Sequence, residues 1–238
     1  LAPFEKVIAG RHQYTIEKEN VLTNNGSCSL ASFATGYLYF GLHKVSDGWV
    51  FREWAPNATC IYLIGTCNGW QKDPAYKLNN IGSGVWEIFI PEHALHHGDL
   101  YKLWIEWNGG AGERIPAWCR RVVQDTESKI FSAQVWNPSV PYVFKNKKFV
   151  PSKTPLLIYE CHIGMSTSKE TVGSYTEFRE NVLPRIYKAG YNAIQIMAIQ
   201  EHPYYGSFGY HVSSFFAASS RFGTPEELKE LIDTAHSY

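Results

Sequence analysis

The 238 residues suffice for one large globular domain or two modest ones, and 45% of them are hydrophobic, as in ordinary globular proteins. Lysine plus arginine and aspartate plus glutamate number 22 each, so the formal net charge is zero. Without a net charge, no global field favours nucleic acid, an anionic membrane surface or an acidic partner, and an uncharged ligand fits better.

Cysteine content and hydropathy bear on the redox environment, on metal binding and on membrane association. Five cysteines occur without a CxxC pair or paired histidines, which argues against a disulfide framework and against a structural zinc site. No apolar stretch approaches the roughly 20 residues that cross a bilayer. We therefore expect no metal, no cofactor and no membrane partner, and a reducing, cytoplasmic environment.

Residues 1–45 are predicted to form a helical lead rather than an independent domain. Pro3 suits the first turn of a helix, and a break at 23–26 precedes Ser29, a typical cap for a short second helix. Apolar residues at helical spacing give the first helix one apolar face: Phe4, Val7 and Ile8.

From residue 46 to residue 145 the hydrophobic period changes from that of a helix to that of a strand. Five short runs are rich in β-branched and aromatic residues: Trp49–Pro56, Thr59–Thr66, Val85–Pro91, Leu100–Trp107 and Ile130–Trp136. Turn residues separate them, and this spacing predicts an all-β, immunoglobulin-like antiparallel sandwich. Its core is expected to include three tryptophans: Trp49, Trp54 and Trp86.

A further change in composition marks the end of the predicted sandwich. Residues 146–155 contain prolines and lysines and are predicted to be an extended linker. Residues 156–238 then carry two apolar runs of the kind found in strands buried on both faces of a parallel sheet: Leu156–Gly164 and Ala193–Ile199.

Each of these two strands is followed by a predicted helix. Capping boxes mark the helix starts: Ser174 with Glu177, and Thr224 with Glu227. The inward stripes are predicted to be Phe178, Val182 and Ile186 in the first helix, and Leu228, Leu231, Ile232 and Ala235 in the second. Strand, helix, strand and helix in this order predict the first two βα units of a (β/α)8 barrel. Two units cannot close a barrel, so we expect a longer protein whose remaining barrel is a partner of this chain.

Seven motifs are spread along essentially the whole chain: FGLH (Phe40–His43), WVFREWAPNA (Trp49–Ala58), CNGW (Cys67–Trp70), GERIPAW (Gly112–Trp118), IYECHIGMS (Ile158–Ser166), QIMAIQEHPYYGSFGYHVSSFFA (Gln195–Ala217) and SRFGTPEELKELID (Ser220–Asp233). The last three are highly specific in combination, whereas NGW alone is weak. Together the motifs resemble the amino-terminal third of glycogen and starch branching enzymes, the 1,4-α-glucan branching members of the α-amylase superfamily.

The resemblance implies a glycogen-binding-type carbohydrate module followed by the start of a catalytic barrel, with an α-glucan, glycogen or starch, as partner. The implied reaction cleaves an α-1,4 glucan chain and transfers the released piece to a 6-hydroxyl. Retaining double displacement requires two carboxyl groups roughly 5–5.5 Å apart. In the family these carboxylates follow later barrel strands, so no catalytic residue is expected here and the chain alone is predicted to be inactive.

The mouth of the predicted barrel is the first candidate binding region. Tyr210 matches the tyrosine that lines the family's cleavage subsite, where its ring stacks on a sugar face, and His211 follows it with a hydrogen-bonding imidazole. Loops after barrel strands are where such enzymes build their active sites. Glu201 and His202 lie in the same region, and we expect them to shape the loop rather than to bind substrate.

The predicted sandwich provides the second candidate region. Alternation along Leu100–Trp107 places Lys102 and Trp104 on the outer face of the sheet. An aliphatic stem, an ammonium group and an indole suit a glucose ring and its hydroxyls. Trp70 and Lys102 also match ligand residues of glycogen-binding modules, so the resemblance implies glucan contact at both.

Two alternatives to a branching enzyme remain at this point. One is a non-catalytic module that carries a partner to glycogen; the strand at Leu156–Gly164 argues against it, because a pure binding module has no use for part of a barrel. The other is an α-glucan debranching hydrolase, since debranching enzymes also place a similar sandwich before a similar barrel. The motifs GERIPAW and HPYYGSFGYH together favour branching.

Overall fold

A computed structural model describes residues 2–151 and 153–238. It divides into two compact units, the first ending at Phe40. The first unit holds helix α1 (Glu5–Leu22) and helix α2 (Leu30–Phe33). No side chain of α1 is buried, so the apolar face predicted for it is exposed: Phe4, Val7 and Ile8.

The helical lead is shorter than predicted. Helix α2 does begin at the expected cap, Ser29, whose side chain accepts a hydrogen bond from the Ser32 amide at 3.0 Å. The last residues of the lead instead form strand β1 (Gly41–Val45), which pairs antiparallel with strand β2 (Gly48–Trp54) across a two-residue turn at 46–47. A strand of five residues is too short for its alternation to be separated from the helical pattern before it.

The remaining strands of the sandwich are β3 (Ala58–Gly65), β4 (Asn79–Gly82), β5 (Val85–Pro91), β6 (Leu100–Trp107), β7 (Gly110–Arg114), β8 (Val122–Gln124) and β9 (Phe131–Gln134). They form two antiparallel sheets. The first has the order β1–β2–β5–β4, and the second has the order β3–β6–β9–β8 with β7 added beside β6. Strands β4, β7 and β8 were not predicted, because they are short or rich in glycine and asparagine.

The two sheets enclose one apolar core. Alternation turns Phe51 of β2 and Ile88 of β5 inward from one sheet, and Ile61, Leu63 and Leu103 inward from the other. All five side chains are almost completely buried. Burial of a side chain of this size contributes about 1.5–3 kcal/mol, so this alternation is what stabilises the predicted antiparallel sandwich.

One of the three tryptophans expected in the core is outside it. Trp49 and Trp86 are buried, but Trp54 is 57% exposed, so that prediction was wrong. The alternation of β2 gives the inward position to Glu53 instead, whose buried carboxylate accepts hydrogen bonds from the amides of Ala117 and Trp54. Burial raises the pKa of Glu53, and these two hydrogen bonds oppose the increase.

In the C-terminal part, strand β10 (Ile158–His162) and strand β11 (Ala193–Met197) pair in parallel, as predicted. Their burial differs from the prediction, because Ile158 is 50% exposed and Tyr159 is 37% exposed. A continuous apolar run indicates a strand with a neighbour on each edge and a layer on each face. Within the described residues, β10 has β11 as its only ladder partner.

Two helical segments follow these strands. The first consists of α3 (Tyr175–Glu177), a π turn at 178–182 and α4 (Leu183–Lys188), and the second is α5 (Pro225–Ser237). Both begin at the predicted reciprocal capping boxes: Ser174 with Glu177 and Thr224 with Glu227. The predicted strands and helices occur in the expected order, but two unpredicted strands, Gln200–Glu201 and Ser214–Ala218, lie between β11 and α5.

The inward face of helix α5 is not wholly apolar, because it carries Asp233, which binds the end of the predicted sandwich segment and the start of the predicted linker. Ile232, expected to face inward, is 36% exposed, whereas Asp233 is 2% exposed. The Asp233 carboxylate accepts hydrogen bonds at 2.7 Å from the Tyr142 hydroxyl and the Lys145 amide, and at 2.9 Å from the Asn146 amide. Residues 142–146 are therefore held against α5.

We predict that Asp233→Asn makes stability less dependent on pH. Burial alone would raise the pKa of Asp233, but the hydrogen bonds from the amides of Lys145 and Asn146 and from Tyr142 lower it well below the ordinary value. The ionised carboxylate thus stabilises the fold above the unfolded pKa of about 3.9, and this contribution is lost as pH falls below that value towards the folded pKa.

Urea unfolding at pH 7 and at successively lower pH measures the effect. The wild-type chain should lose stability more steeply than the Asn variant, which should also melt several degrees lower at pH 7 because an amide cannot accept all of these donors. Asp47→Asn is the control, because Asp47 is exposed in the turn between β1 and β2, and this variant should lose stability with falling pH as steeply as wild type. Parallel pH profiles for wild type and Asp233→Asn would contradict the assignment.

Candidate functional site

Aromatic and charged side chains form a cluster on the outer face of the second sheet, here called the outer-face platform: Trp70, Lys72, Lys102, Trp104, Glu106 and Glu113. Along β6, Tyr101 and Leu103 point into the core, with exposures of 2% and 0%. Alternation then sends Lys102 and Trp104 outward, as the sequence predicts.

Lys102 joins two other members of the platform. Its ammonium group donates a hydrogen bond to Glu113 Oε2 at 2.8 Å and lies 5.7 Å from the centroid of the Trp70 ring. The residue is 9% exposed, so its aliphatic stem is covered while its charge is paired. The cation–π contact and the ion pair together orient the indole of Trp70 over the sheet.

Trp104 is fixed by a second set of polar contacts. Its indole Nε1 donates to Glu106 Oε1 at 3.1 Å, and the same oxygen accepts a hydrogen bond from Lys72 Nζ at 3.2 Å. Lys72 Nζ also lies 5.2 Å from the Trp104 ring. The hydrogen bond from Lys72 lowers the pKa of Glu106, which keeps this carboxylate ionised as an acceptor beside an aromatic face.

The turn after β3 presents Trp70 in an uncommon backbone conformation. Its φ is +63°, a left-handed value that residues with a Cβ rarely adopt. Asn68 holds the turn, because its side chain accepts from the Gly65 amide and donates to the Leu63 carbonyl, each at 2.9 Å. The Trp70 amide also donates to the Gly65 carbonyl at 2.8 Å. Backbone strain of this kind is often found at binding sites.

Three platform residues were not predicted from the sequence: Lys72, Glu106 and Glu113. A signal existed for Glu106, because the alternation that places Trp104 outward also places Glu106 outward, two residues later. Glu113 had no such signal, since it lies on the unpredicted strand β7. Lys72 reaches the platform from the irregular segment after Trp70, where no periodicity applies.

The second candidate region is the loop 202–213, called here the mouth loop. It connects strand β12 (Gln200–Glu201) to strand β13 (Ser214–Ala218), which pair antiparallel in a hairpin that the sequence did not predict. Tyr210 is 77% exposed in this loop, and the neighbouring His211 is exposed as well. Both side chains are therefore accessible to a ligand.

The path of the mouth loop is sterically restricted. Ala198 before it and Phe208 within it have φ values of +55° and +51°. A Cβ added to Gly209, whose φ is +83°, would lie 2.3 Å from the Ala198 Cβ. Each non-glycine residue in such a conformation costs about 1–3 kcal/mol, and the surrounding contacts must therefore fix this path.

Glu201 provides several of those contacts. Its side chain is fully buried, and Oε2 accepts hydrogen bonds from the Ser220 amide at 2.7 Å and the Ser220 hydroxyl at 2.8 Å. Oε1 accepts from the His202 amide at 3.2 Å. Glu201 thus shapes the loop, in agreement with its interpretation as a structural residue, and the His202 side chain next to it is fully buried.

The two candidate regions remain separate groups in the structure. Among the described residues, no hydrogen bond or ring contact joins Tyr210 or His211 to the outer-face platform. The described residues also contain no group of three or more histidine, cysteine or acidic side chains able to hold a metal ion. No helix in residues 2–151 or 153–238 combines the length and the apolar character needed to cross a membrane.

An antiparallel sandwich that carries an aromatic and charged surface, followed by parallel βα units, is the arrangement of a carbohydrate-binding module joined to an α/β unit. Residues 39–119 match the family described as carbohydrate-binding module 48 (isoamylase N-terminal domain), so the chain carries such a module.

Over its whole length the chain is related to 1,4-α-glucan-branching enzymes, which confirms the resemblance drawn from its motifs. It is 47% identical to the enzyme of that name from Dictyostelium discoideum over 99% of the chain, and 45% identical to that from Yarrowia lipolytica over 99%. The relative of the same name from Felis catus is 42% identical over 100% of the chain. The chain spans 35% of the length of each of these three relatives.

Solved structures share the fold beyond the module. A putative alpha amylase from Salmonella typhimurium superposes with a TM-score of 0.66 at 21% identity, covering 84% of this chain and 31% of its own. Pullulanase from Bacillus acidopullulyticus superposes with a TM-score of 0.62 at 16% identity, covering 83% and 28%. At these identities the similarity concerns the fold alone.

We predict that Glu201→Ala destabilises the chain by about 1–3 kcal/mol or more, because two amides and one hydroxyl would lose their acceptor in a buried place. Thermal unfolding measures the loss. Glu170→Ala, at an exposed glutamate, is the matched control and should melt like wild type. Equal melting temperatures for both variants would show that Glu201 does not support the hairpin.

Proposed function

We propose that this chain is the glucan-binding front part of a 1,4-α-glucan-branching enzyme, in which it binds and presents α-glucan chains. The whole protein would cleave α-1,4 linkages and transfer the released chains to 6-hydroxyls by retaining double displacement. One observation carries the proposal: relatives 42–47% identical along the entire chain bear that name, and the module within it displays the outer-face platform.

The outer-face platform has the chemistry of a site for an uncharged polysaccharide. The Trp70 indole is 37% exposed, which leaves a flat apolar surface for the face of a sugar ring. Lys102 and Glu106 lie beside the indole rings of Trp70 and Trp104 and offer a donor and an acceptor to ring hydroxyls. Lys72 and Lys102 are paired with Glu106 and Glu113, so the platform carries no net charge that would favour an ionic ligand.

The mouth loop is proposed to contribute to the catalytic cleft. Tyr210 would stack on the sugar at the point of cleavage and His211 would hydrogen-bond a hydroxyl. No pair of carboxylates at the mouth loop is free for the chemistry, because the buried Glu201 is engaged with Ser220 and His202. We therefore infer that the nucleophile and the acid/base belong to the rest of the protein and that this chain alone is inactive.

The rest of a (β/α)8 barrel is the proposed partner of the C-terminal part. Ile158 and Tyr159 of β10 expose apolar surface next to a strand edge, and Leu156 and Leu157 before them are 63% and 56% exposed. In a stable protein, exposed apolar surface and the unpaired backbone N–H and C=O groups of a strand edge are normally covered by further structure. Further barrel strands would supply it.

The two alternatives receive less support. Fold similarity to a pullulanase is compatible with a debranching hydrolase, but that identity is 16%, against 47% for a branching enzyme. A non-catalytic glycogen-binding module accounts for the outer-face platform and leaves the parallel βα part without a role. A cytoplasmic location stays a prediction.

Trp70→Ala is expected to weaken binding of the chain to glycogen by roughly three- to tenfold, because one stacking surface of about 0.5–1.5 kcal/mol is lost. Affinity electrophoresis in gels that contain glycogen measures this retardation. Trp54→Ala is the matched control, because Trp54 is an exposed tryptophan of the same sandwich outside the platform. Retardation of Trp70→Ala equal to that of wild type would assign Trp70 to the turn alone.

Tyr210→Ala in the full-length protein is expected to lower kcat/KM for chain transfer by about tenfold, the loss of one stacking contact at the reacting sugar. The assay follows the branching of amylose, with thermal unfolding to confirm an unchanged fold. Since Tyr210 is largely exposed, its removal should not affect the melting temperature. Wild-type kinetics would remove Tyr210 from the cleft.

A further inference from the structure

The mouth loop is supported by the carbohydrate module as well as by its own hairpin. Its two ends are fixed at one point, because Glu201 and Ser214 are cross-strand partners in β12 and β13. The Ser213 amide donates to the Glu201 carbonyl at 2.9 Å and closes the base of the loop. The position of Tyr210 therefore depends on what holds β13.

Strand β13 is attached to the module at three places. The buried Cys119 thiol lies beside the Ser214 side chain, and burial raises the pKa of Cys119 to about 12, so the thiol stays neutral. Ala217 is 1% exposed and belongs to the core of the sandwich itself. The ring of Phe216 stacks on that of Trp118, with centroids 4.3 Å apart and planes 20° apart.

Trp118 lies in a segment that is fixed on both sides. Its carbonyl oxygen lies so close to Gly41, at the start of β1, that a Cβ on Gly41 would be 2.7 Å from it. Just before Trp118, the Ala117 amide donates to the buried Glu53 carboxylate at 2.9 Å. Three residues later, Arg121 donates to the Gly223 carbonyl at 2.9 Å. Trp118 thus presents its ring from a fixed segment between two anchors.

Of the three attachments, the Trp118–Phe216 stack is the one that lies partly at the surface. Phe216 is 43% exposed even with the stack in place, whereas Ser214 and Ala217 are buried. If the indole were lost, this part of β13 would have no ring to lie against, and the direction in which the mouth loop leaves the strand would be less restricted. Ser214 and Ala217 would still keep the strand in the fold.

We propose that Trp118, a residue of the carbohydrate module, is a positioning residue for the reaction: through Phe216 it fixes the mouth loop and hence the ring of Tyr210. This inference rests on the proposed function, since it assumes that Tyr210 contacts the glucan. Trp118 acts on substrate only through Tyr210, so its removal and the removal of Tyr210 should have overlapping effects.

The test is a double-mutant cycle in the full-length protein with Trp118→Ala, Tyr210→Ala and the combined variant, assayed for kcat and KM with amylose. We expect Trp118→Ala to lower kcat/KM by about three- to tenfold, the range of an aromatic contact. The kcat/KM of the combined variant should equal that of Tyr210→Ala, because Trp118 has no further effect once the ring that it positions has been removed. Trp118→Phe, which can still stack, should recover most of the activity.

Trp54→Ala serves as the control for loss of a tryptophan from the sandwich and should leave the kinetics unchanged. Additive losses in the combined variant, or wild-type kinetics for Trp118→Ala while Tyr210→Ala is impaired, would overturn the positioning role and leave the proposed function intact. If Trp118→Ala fails to fold, the cycle is run with Trp118→Leu, and additivity there has the same meaning. Wild-type kinetics for Tyr210→Ala would instead overturn the proposed role of Tyr210, and the inference with it.

Discussion

The inward packing of alternate residues on β6 is the constraint from which the rest of the site follows. Tyr101 and Leu103 are almost completely buried in the core between the two sheets. Their burial fixes the register of β6 against β3, in which Leu103 pairs with Leu63. A one-residue slip would exchange the two faces of the strand and place Lys102 in an apolar core. The same hydrophobic contacts that fold the sandwich therefore position the cluster that we propose to bind glucan.

The module and the C-terminal part are linked by more than the connecting chain. Arg121, in the sandwich, lies 4.6 Å from the Trp136 ring while it donates to the Gly223 carbonyl, and the Trp136 indole donates to the Glu226 carboxylate of α5. Together with Ala217 in the sandwich core and the four hydrogen bonds at the Asp233 carboxylate, these contacts join the two parts into one folded body. A ligand on one part thus acts on a structure that is continuous with the other.

Sequence patterns predicted the elements that are specified by residues close together in the chain. The strands Val85–Pro91 and Leu100–Trp107 were predicted to the residue, and both capping boxes were identified, because alternation and capping depend on neighbours in the chain. The hairpin β12–β13 was missed because β12 has only two residues, and β7 was missed because its backbone is rich in glycine. Of the proposed sites, the aromatic members were found and the acidic partners Glu106 and Glu113 were not. The alternation of β6 indicated that Glu106 faces outward but did not indicate its ion pair, and Glu113 lies on the unpredicted strand β7.

The left-handed backbone at Trp70 sets the stability of the turn against the glucan binding that we propose for this residue. At φ +63°, a glycine would relieve the strain of the turn, and Asn68 would still close it. The turn nevertheless carries the largest side chain available, above an ammonium group that steers the ring. Selection for thermostability would favour Trp70→Gly and remove the ring, whereas selection for the proposed glucan binding would retain the indole in spite of the backbone strain.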